Sequence, residues 1–392
     1  MSIKIKEYEK GTYVIDNEYA YVWCLKTSNQ KGTDYCYGGT RTVDPTESEK
    51  SVFERLCYLG RYESGLKNYF INQMIKDNVF SEFSDRLPEG FQNSYVEGGR
   101  CIIQPKDQEA FSAISNTTHS EHKKVLDSVF SDLGELLNEL DGKLKLTPDF
   151  GRYAGLADML HQYTENVLGI DCADGGCGGK ASYTSTGIIQ AAETLGAAKD
   201  QPITLIGSAG ACGIGVLNYL MDNQYSDIAV CDLVYDNTNA GKQSARQLSE
   251  KGIKVLHSED RKLTKECLSR GGMIIATTVG GEFLRSEHQA MKDGTVLLLA
   301  HNECIRTEED DYAAVDKIVE NRNIIIVPGQ LLTFGGALTS RIEWFYRQSR
   351  KGEYFDKPLA HDVVKAAAAY MMNTYALKSN GQNLFRKVFD LI

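Results

Sequence analysis

The sequence predicts an α/β chain of two domains. Three observations carry that expectation. The length of 392 residues exceeds what a single hydrophobic core usually spans. The pattern changes near residue 184, from irregular strands and helices to a regular alternation of the two. Within the alternating half, a glycine-rich turn stands between an apolar strand and a helix. Alternation of this kind builds a parallel sheet covered on both faces.

Composition narrows the function classes. Hydrophobic residues make up 42% and charged residues 24%, enough apolar material for a large core. A formal net charge of −10 gives no basic face, so a nucleic-acid partner is not expected. No run of about 18 apolar residues occurs, so no membrane span is expected. The N-terminal stretch MSIKIKEYEKGTYVID is charged and alternating, unlike a signal peptide. With ten scattered cysteines and no CxxC pair, these features predict a cytoplasmic chain with reduced thiols. Cys172 and Cys177 stand five apart and His119 and His122 form an HxxH. Neither group has the further ligands a metal needs, and no metal site is expected.

The elements read in order as follows. Residues 12–24 are rich in Tyr and Val and read as one strand. Residues 45–80 repeat apolar positions at three and four, which is helical. YVEGGRCIIQP, 95–105, reads as a strand ended by Pro105. HKKVLDSVFSDLGELLNEL, 122–140, reads as an amphipathic helix stopped at Asp141-Gly142. KLKLTPDFG is a strand running into a loop, and LADMLHQYTENVL reads as a helix. From residue 184 the strands ITLIG, IAVCD, KVLH, MIIATT, TVLLLA and IIIVPG alternate with helices. Two long helices follow Pro328.

The turn in ITLIGSAGACGIGVLNYL places Gly207, Gly210, Gly213 and Gly215 after an apolar strand and before a helix. Small residues here allow a tight turn and close helix–strand packing. They also let a pyrophosphate approach the free amides of the helix N-terminus, with Ala211 and Cys212 in its first turn. The strand that follows ends in Asp232, where a carboxylate would accept both ribose hydroxyls and repel a 2′-phosphate. These features together predict a Rossmann domain that prefers NAD to NADP.

Five further segments carry a resemblance. They are GGTR at 38–41, LKNYF at 66–70, TPDFGRYAGLADMLHQYTENVLGI at 147–170, TSTGIIQAAE at 184–193 and FGGALTSRIEW at 334–344. In this order the chain resembles the glutamate/leucine/phenylalanine/valine dehydrogenase superfamily, and its leucine and phenylalanine branch most closely. The resemblance implies an N-terminal α/β domain for catalysis and oligomerisation, a Rossmann domain, and an active site in the cleft between them. It places the first domain at 1–168, with helices of 346–392 packing back on it, and the Rossmann domain at 169–345. It gives Lys67 the substrate carboxylate, Gly38 and Gly39 backbone amides beside that carboxylate, and Asp149 the proton of the amino group. Thr184, Thr277 and Asn302 would face the nicotinamide. A homodimer or larger assembly is implied, with a small amino or imino acid as substrate. The lesser alternatives are a helix N-cap for Asp149 and a solvated helix position for Lys67.

The sequence departs from that family at GGR, 98–100. The family has a lysine that activates water where this chain has Arg100. A guanidinium keeps its proton at usable pH, so it can clamp a carboxylate or stabilise an oxyanion but cannot act as a base. Residues 71–96 also form an insertion. Three functions remain open on the sequence. One is hydride transfer to or from an amino or imino acid with altered acid–base chemistry, favouring preformed imines. Another is conventional oxidative deamination with another base. The third is a non-catalytic NAD-binding homologue.

Overall fold

The computed structural model describes residues 5–9, 11–27, 32–150, 155–257, 265–278, 287–301, 309–320, 322–350, 352–379, 381 and 384–391. The chain forms two compact units. One comprises Met1–Lys180 with Ala337–Ala360, and the other Ala181–Gly336 with His361–Leu391.

The first unit is built on a six-stranded mixed sheet. Its strands are β1 (Ile5–Glu9), β2 (Thr12–Asp16), β3 (Ala20–Lys26), β4 (Tyr35–Thr42), β5 (Val96–Pro105) and β6 (Leu144–Pro148), in the spatial order β1-β2-β3-β5-β4-β6. The first three run antiparallel, while β4 pairs parallel with both β5 and β6. The single strand expected over 12–24 is a hairpin. Asn17 breaks it, its side chain accepting from the Tyr19 amide and reaching Asp132 at 2.6 Å.

Helices α1 (Glu49–Tyr58) and α2 (Leu66–Lys76) cover one face, joined by a wide π-helical stretch, Leu59–Gly65. Helix α1 and Leu59 of the π-helical stretch form an apolar cluster with Trp23, Leu25 and Ile102 of the sheet. The opposite face packs on α3 (Gln108–Ser115), α4 (His122–Glu139) and α5 (Leu156–His161). Helix α5 is shorter than the sequence predicts. The chain leaves it after His161, and Val167 instead bridges Leu146 beside β6.

The second unit opens with α6 (Ala181–Thr194). The strands are β7 (Ile203–Ile206), β8 (Ile228–Cys231), β9 (Lys254–Leu256), β10 (Met273–Ala276), β11 (Val296–Leu299) and β12 (Ile325–Val327). Their order is β12-β11-β10-β7-β8-β9, and every pairing is parallel. This is the doubly wound order of dinucleotide folds, with the switch point between β7 and β10. Helix α7 (Ala211–Asp222) follows β7; α8 (Leu233–Asn237) and α9 (Asn239–Glu250) follow β8. The remaining helices are α10 (Lys265–Ser269), α11 (Glu309–Glu320), α12 (Gly335–Ser349), α13 (Lys357–Met371) and α14 (Leu384–Phe389).

The sequence reading ends the first domain at 168 and packs residues 346–392 on it; the compact units divide at Lys180 and group residues 361–391 with the parallel sheet. Small residues explain the second point. Gly187 in α6 leaves room for Val364, Thr186 bonds His361 Nδ1 at 2.8 Å, and Gly381 rests on Ile325 of β12. Among the described residues no helix is long and apolar enough to cross a membrane.

Candidate active site

In the first unit, glycines decide how closely helix and sheet approach. A Cβ at Gly98 would overlap the backbone of Gly60 and Gly65, and one at Gly38 would meet the Gly99 carbonyl and Ser64 Oγ. Their absence lets the π-helical stretch sit directly on β4 and β5. An inserted residue of this kind widens a helix and commonly marks a functional site. Here it carries Glu63 inward against the sheet.

Glu63 is 6% exposed and Arg100, on β5 opposite Leu25 of β3, is 1% exposed. Arg100 Nη1 lies 3.2 Å from Glu63 Oε1, Arg41 Nη2 lies 3.4 Å from Oε2, and Lys67 Nζ lies 3.9 Å from Oε1. Burial works to raise the Glu63 carboxyl, but Arg100, Lys67 and Arg41 outweigh it and hold the group at about 2. Lys67, 8% exposed, is displaced downward by burial. Glu63 and Asp149 oppose that shift, while Arg100 and Arg41 add to it. The position is therefore not the solvated helix site its sequence allowed.

The guanidinium of Arg100 is only half used. Its Nε and Nη2 are buried with no hydrogen-bond partner among the described residues. Buried donors of this kind are rare and call for an explanation.

Asp149 follows β6 and stands over Gly39, where a Cβ would overlap its carboxylate. Its Oδ1 accepts from the Thr40 amide at 2.8 Å. The β4–β5 register runs through Tyr37 and resumes at Thr40, skipping the double glycine. Among the described residues Asp149 caps no helix, the N-cap of α5 being Gly155. It is exposed. The structure thus brings Lys67, Arg100 and Asp149 into one cluster with Gly38 and Gly39. Glu63 and the π-helical stretch were missed. Their one sequence signal is the Glu63–Lys67 spacing of four, which ordinarily marks a solvated helix pair.

In the second unit the glycine turn follows β7. Gly207 has φ +79 and donates to the Cys231 carbonyl at 2.8 Å. A Cβ at Gly213 would overlap the Gly207 carbonyl, and one at Gly215 would overlap Ser185 Oγ of α6. Gly210 is different: the nearest atom to a Cβ there is 3.4 Å away, so the fold itself leaves space. Gly210 is the N-cap of α7 and makes no side-chain cap bond. Ala211 is exposed and Cys212 half-buried in the first turn of the helix, with the Cys212 carbonyl accepting from Ser185.

Asp232 serves the glycine turn and the next helix. Its Oδ2 accepts from the Ala209 amide at 2.9 Å and its Oδ1 from Val234 at 3.1 Å, capping α8. Thr277, at the end of β10, ties the switch point together by donating to the Ile206 and Gly207 carbonyls. Thr184 lies in the first turn of α6, beside Gly335. Asn302 lies outside the described residues. Among the described residues no group of His, Cys, Asp and Glu could hold a metal.

No family model and no curated protein sequence matches the chain. Solved structures do match across its length. It is similar to the L-tryptophan dehydrogenase of Nostoc punctiforme, with TM-score 0.61 and 13% identity, covering 100% of this chain and 94% of that one. It is similar to the hetero-hexameric glutamate dehydrogenase of Thermus thermophilus, with TM-score 0.64 and 12% identity, covering 99% and 85%. The glutamate dehydrogenase of Peptoniphilus asaccharolyticus gives TM-score 0.61 and 14% identity, covering 99% and 87%. The fold of the chain is that of these two-domain α/β enzymes.

Proposed function

We propose that the protein is an NAD-dependent oxidoreductase acting at the carbon–nitrogen bond of an amino or imino acid. The observation that carries this is the cluster about Glu63. Arg41, Lys67 and Arg100 converge on it, with Asp149 and the Gly38–Gly39 stretch beside them. Cations gathered beside a glycine stretch suit an acid as the ligand.

The second unit fits a dinucleotide. Gly207 and Gly213 set the turn, and the open space at Gly210 before uncapped amides suits a pyrophosphate. Each Asp232 oxygen retains acceptor capacity beyond the amide it takes, which suits ribose hydroxyls and favours NAD over NADP. When bound, the nicotinamide supplies the hydride chemistry. Thr184 and Thr277, and Asn302 beyond the described residues, would line its ring. This chain's own residues bind the acid, orient it and move protons. Arg100 cannot take up a proton as the lysine of the resembling enzymes does, so the acid–base half of the reaction is altered.

The test is a parallel screen: NAD reduction with L-amino acids, and NADH oxidation with 2-oxo acids plus ammonia or with cyclic imino acids. Turnover of acids, and its loss with the matching esters, amides and decarboxylated amines, is expected. Equal turnover of decarboxylated analogues would remove the role given to the cluster.

A further inference from the structure

The first unit has a second concave feature, at the opposite end of β6 from Asp149. A cleft of about 490 Å³ opens among the start of β4, the turn before β6 and α12. That volume is within the range of small-molecule sites, about 300–1,000 Å³. Tyr35, Trp344 and Phe345 line it, with the Tyr35 ring centroid 6.0 Å from that of Trp344 and 6.2 Å from that of Phe345. The exposed acids Asp34 and Asp141 line it as well.

Lys145 also lines the cleft and is 2% exposed. Its Nζ donates to the Gly142 carbonyl at 3.0 Å and to Asn166 Oδ1 at 3.2 Å, and lies 3.3 Å from the centroid of the Trp344 ring. All three partners are neutral, and among the described residues no carboxylate lies within ion-pair distance. A buried cation without a counter-ion is costly. Burial accordingly lowers Lys145 to about 7, with Arg347 and Lys143 adding to the shift. Gly142 keeps the flank of the amine clear, since a Cβ there would stand 3.3 Å from Nζ and 3.1 Å from Asn166 Oδ1. The turn that carries it is unusual, with Asp141 at φ +49 as well as Gly142 at φ +67.

We propose that this cleft binds an aromatic amino acid as a zwitterion, its ring against Trp344 and Phe345, its carboxylate toward Lys145 and its ammonium toward Asp34 and Asp141. The site is separate from Lys67, Asp149 and Arg100 and does not rest on the reaction assigned to them.

Each part of the ligand meets a group that lacks what it brings. The carboxylate is the counter-ion absent from Lys145. The ammonium faces acids with acceptor capacity to spare. Among the described residues Asp141 makes no side-chain bond, and Asp34 uses Oδ2 alone, on the Tyr95 amide at 2.6 Å. The ring gains apolar contact that a bare inorganic anion could not use. The charged and titratable groups around the amine are Asp34, Tyr35 and Tyr37 of β4, Asp141 and Lys143 of the turn, and Arg347 of α12. A carboxylate beside Lys145 favours its charged form. Binding therefore takes up a proton near pH 7 and weakens as pH rises above it.

The experiment titrates the protein, without nucleotide, with L-phenylalanine, phenethylamine and 3-phenylpropanoate. Calorimetry and tryptophan emission report binding. Trp23 is buried and bonded to Gln104, so it gives a steady background to Trp344. Phenylalanine should change the emission and bind at least tenfold more tightly than the amine or the acid. Trp344→Phe should abolish the emission change. Lys145→Met should weaken phenylalanine at least tenfold and remove the loss of affinity above pH 7. Asp141→Asn should weaken it at least threefold; it alters an exposed residue and keeps the test if the melting curve shows Lys145→Met to be unfolded. The proposal is overturned if phenylalanine does not bind, or binds wild type and the Lys145 and Asp141 variants alike. It is also overturned if the amine or the acid binds as tightly as the zwitterion. None of these results bears on the proposed function, which is read from nucleotide turnover.

Discussion

Single residues carry most of what is chemical in this chain, and they differ in what they are for. Gly213 and Gly210 belong to one motif but do different work. Gly213→Val would drive a side chain into the Gly207 carbonyl, so the turn itself should fail. Gly210→Val meets nothing closer than 3.4 Å at its Cβ, so that variant should fold normally and bind NADH at least tenfold more weakly. Calorimetry with a melting curve separates the two, and an unchanged NADH affinity in folded Gly210→Val would contradict the phosphate assignment. Asp232→Ala should weaken NAD, relax its preference over NADP, and cost about 1 kcal/mol of stability through the lost cap; urea unfolding and parallel titrations measure both. Glu63 adds a pH dependence. Its carboxyl falls from 4.5 to about 2 in the fold, so its ion pairing stabilises above pH 4.5 and is lost as pH drops toward 2. The stability gap between wild type and Glu63→Gln, followed by urea midpoint, should therefore close over that window; a gap constant across it would contradict the pairing.

At this scale the sequence was informative about identity and poor about surroundings. Lys67, Asp149 and Arg100 could be singled out because the segments that carry them resemble those of a dehydrogenase family. Which of them is buried could not be read. Burial here depends on Gly98 receiving the backbone of a π-helical stretch some 30 residues earlier in the chain, and no local periodicity reports a long-range contact. Glu63 stayed hidden because a Glu–Lys pair four apart is the commonest solvated arrangement on a helix.

Elements were legible where their period was strong. The parallel strands of the second unit appear where the apolar runs stand, and α4 follows its amphipathic repeat to within a residue. The errors fall where contacts distant in sequence end an element. Asn17 splits one strand into a hairpin, and α5 stops at His161 because Val167 is taken by β6. The insertion at 71–96 proves to be packed within the first unit. Asn72 lies in α2, and Phe80 and Phe91 are buried in a T-shaped contact at 5.7 Å. Arg341 of α12 ties the segment down, bonding Asn72 Oδ1 at 2.8 Å and the Phe91 and Ser94 carbonyls. Arg341→Met should cost about 3 kcal/mol or more, because buried acceptors lose their donor. Urea unfolding measures it, and a loss under 1 kcal/mol would show the segment to be held by its aromatics alone.

For the whole molecule, the fold class expected from sequence is the fold observed, and the structure adds the strand order on which the dinucleotide assignment depends. Glycines at 187 and 381 admit the C-terminal helices to the parallel sheet's unit, and such docking leaves no mark in an amphipathic pattern. What unites the two units functionally is the proposal that one holds an acid and the other a nicotinamide dinucleotide. The most direct test is NADH turnover by the wild type across 2-oxo acids with ammonia and cyclic imino acids, each run beside its methyl ester. The account predicts oxidation of NADH by at least one free acid, with NADPH and the ester both at least tenfold poorer. Oxidation of NADH by no acid, or by ester and acid alike, would contradict it.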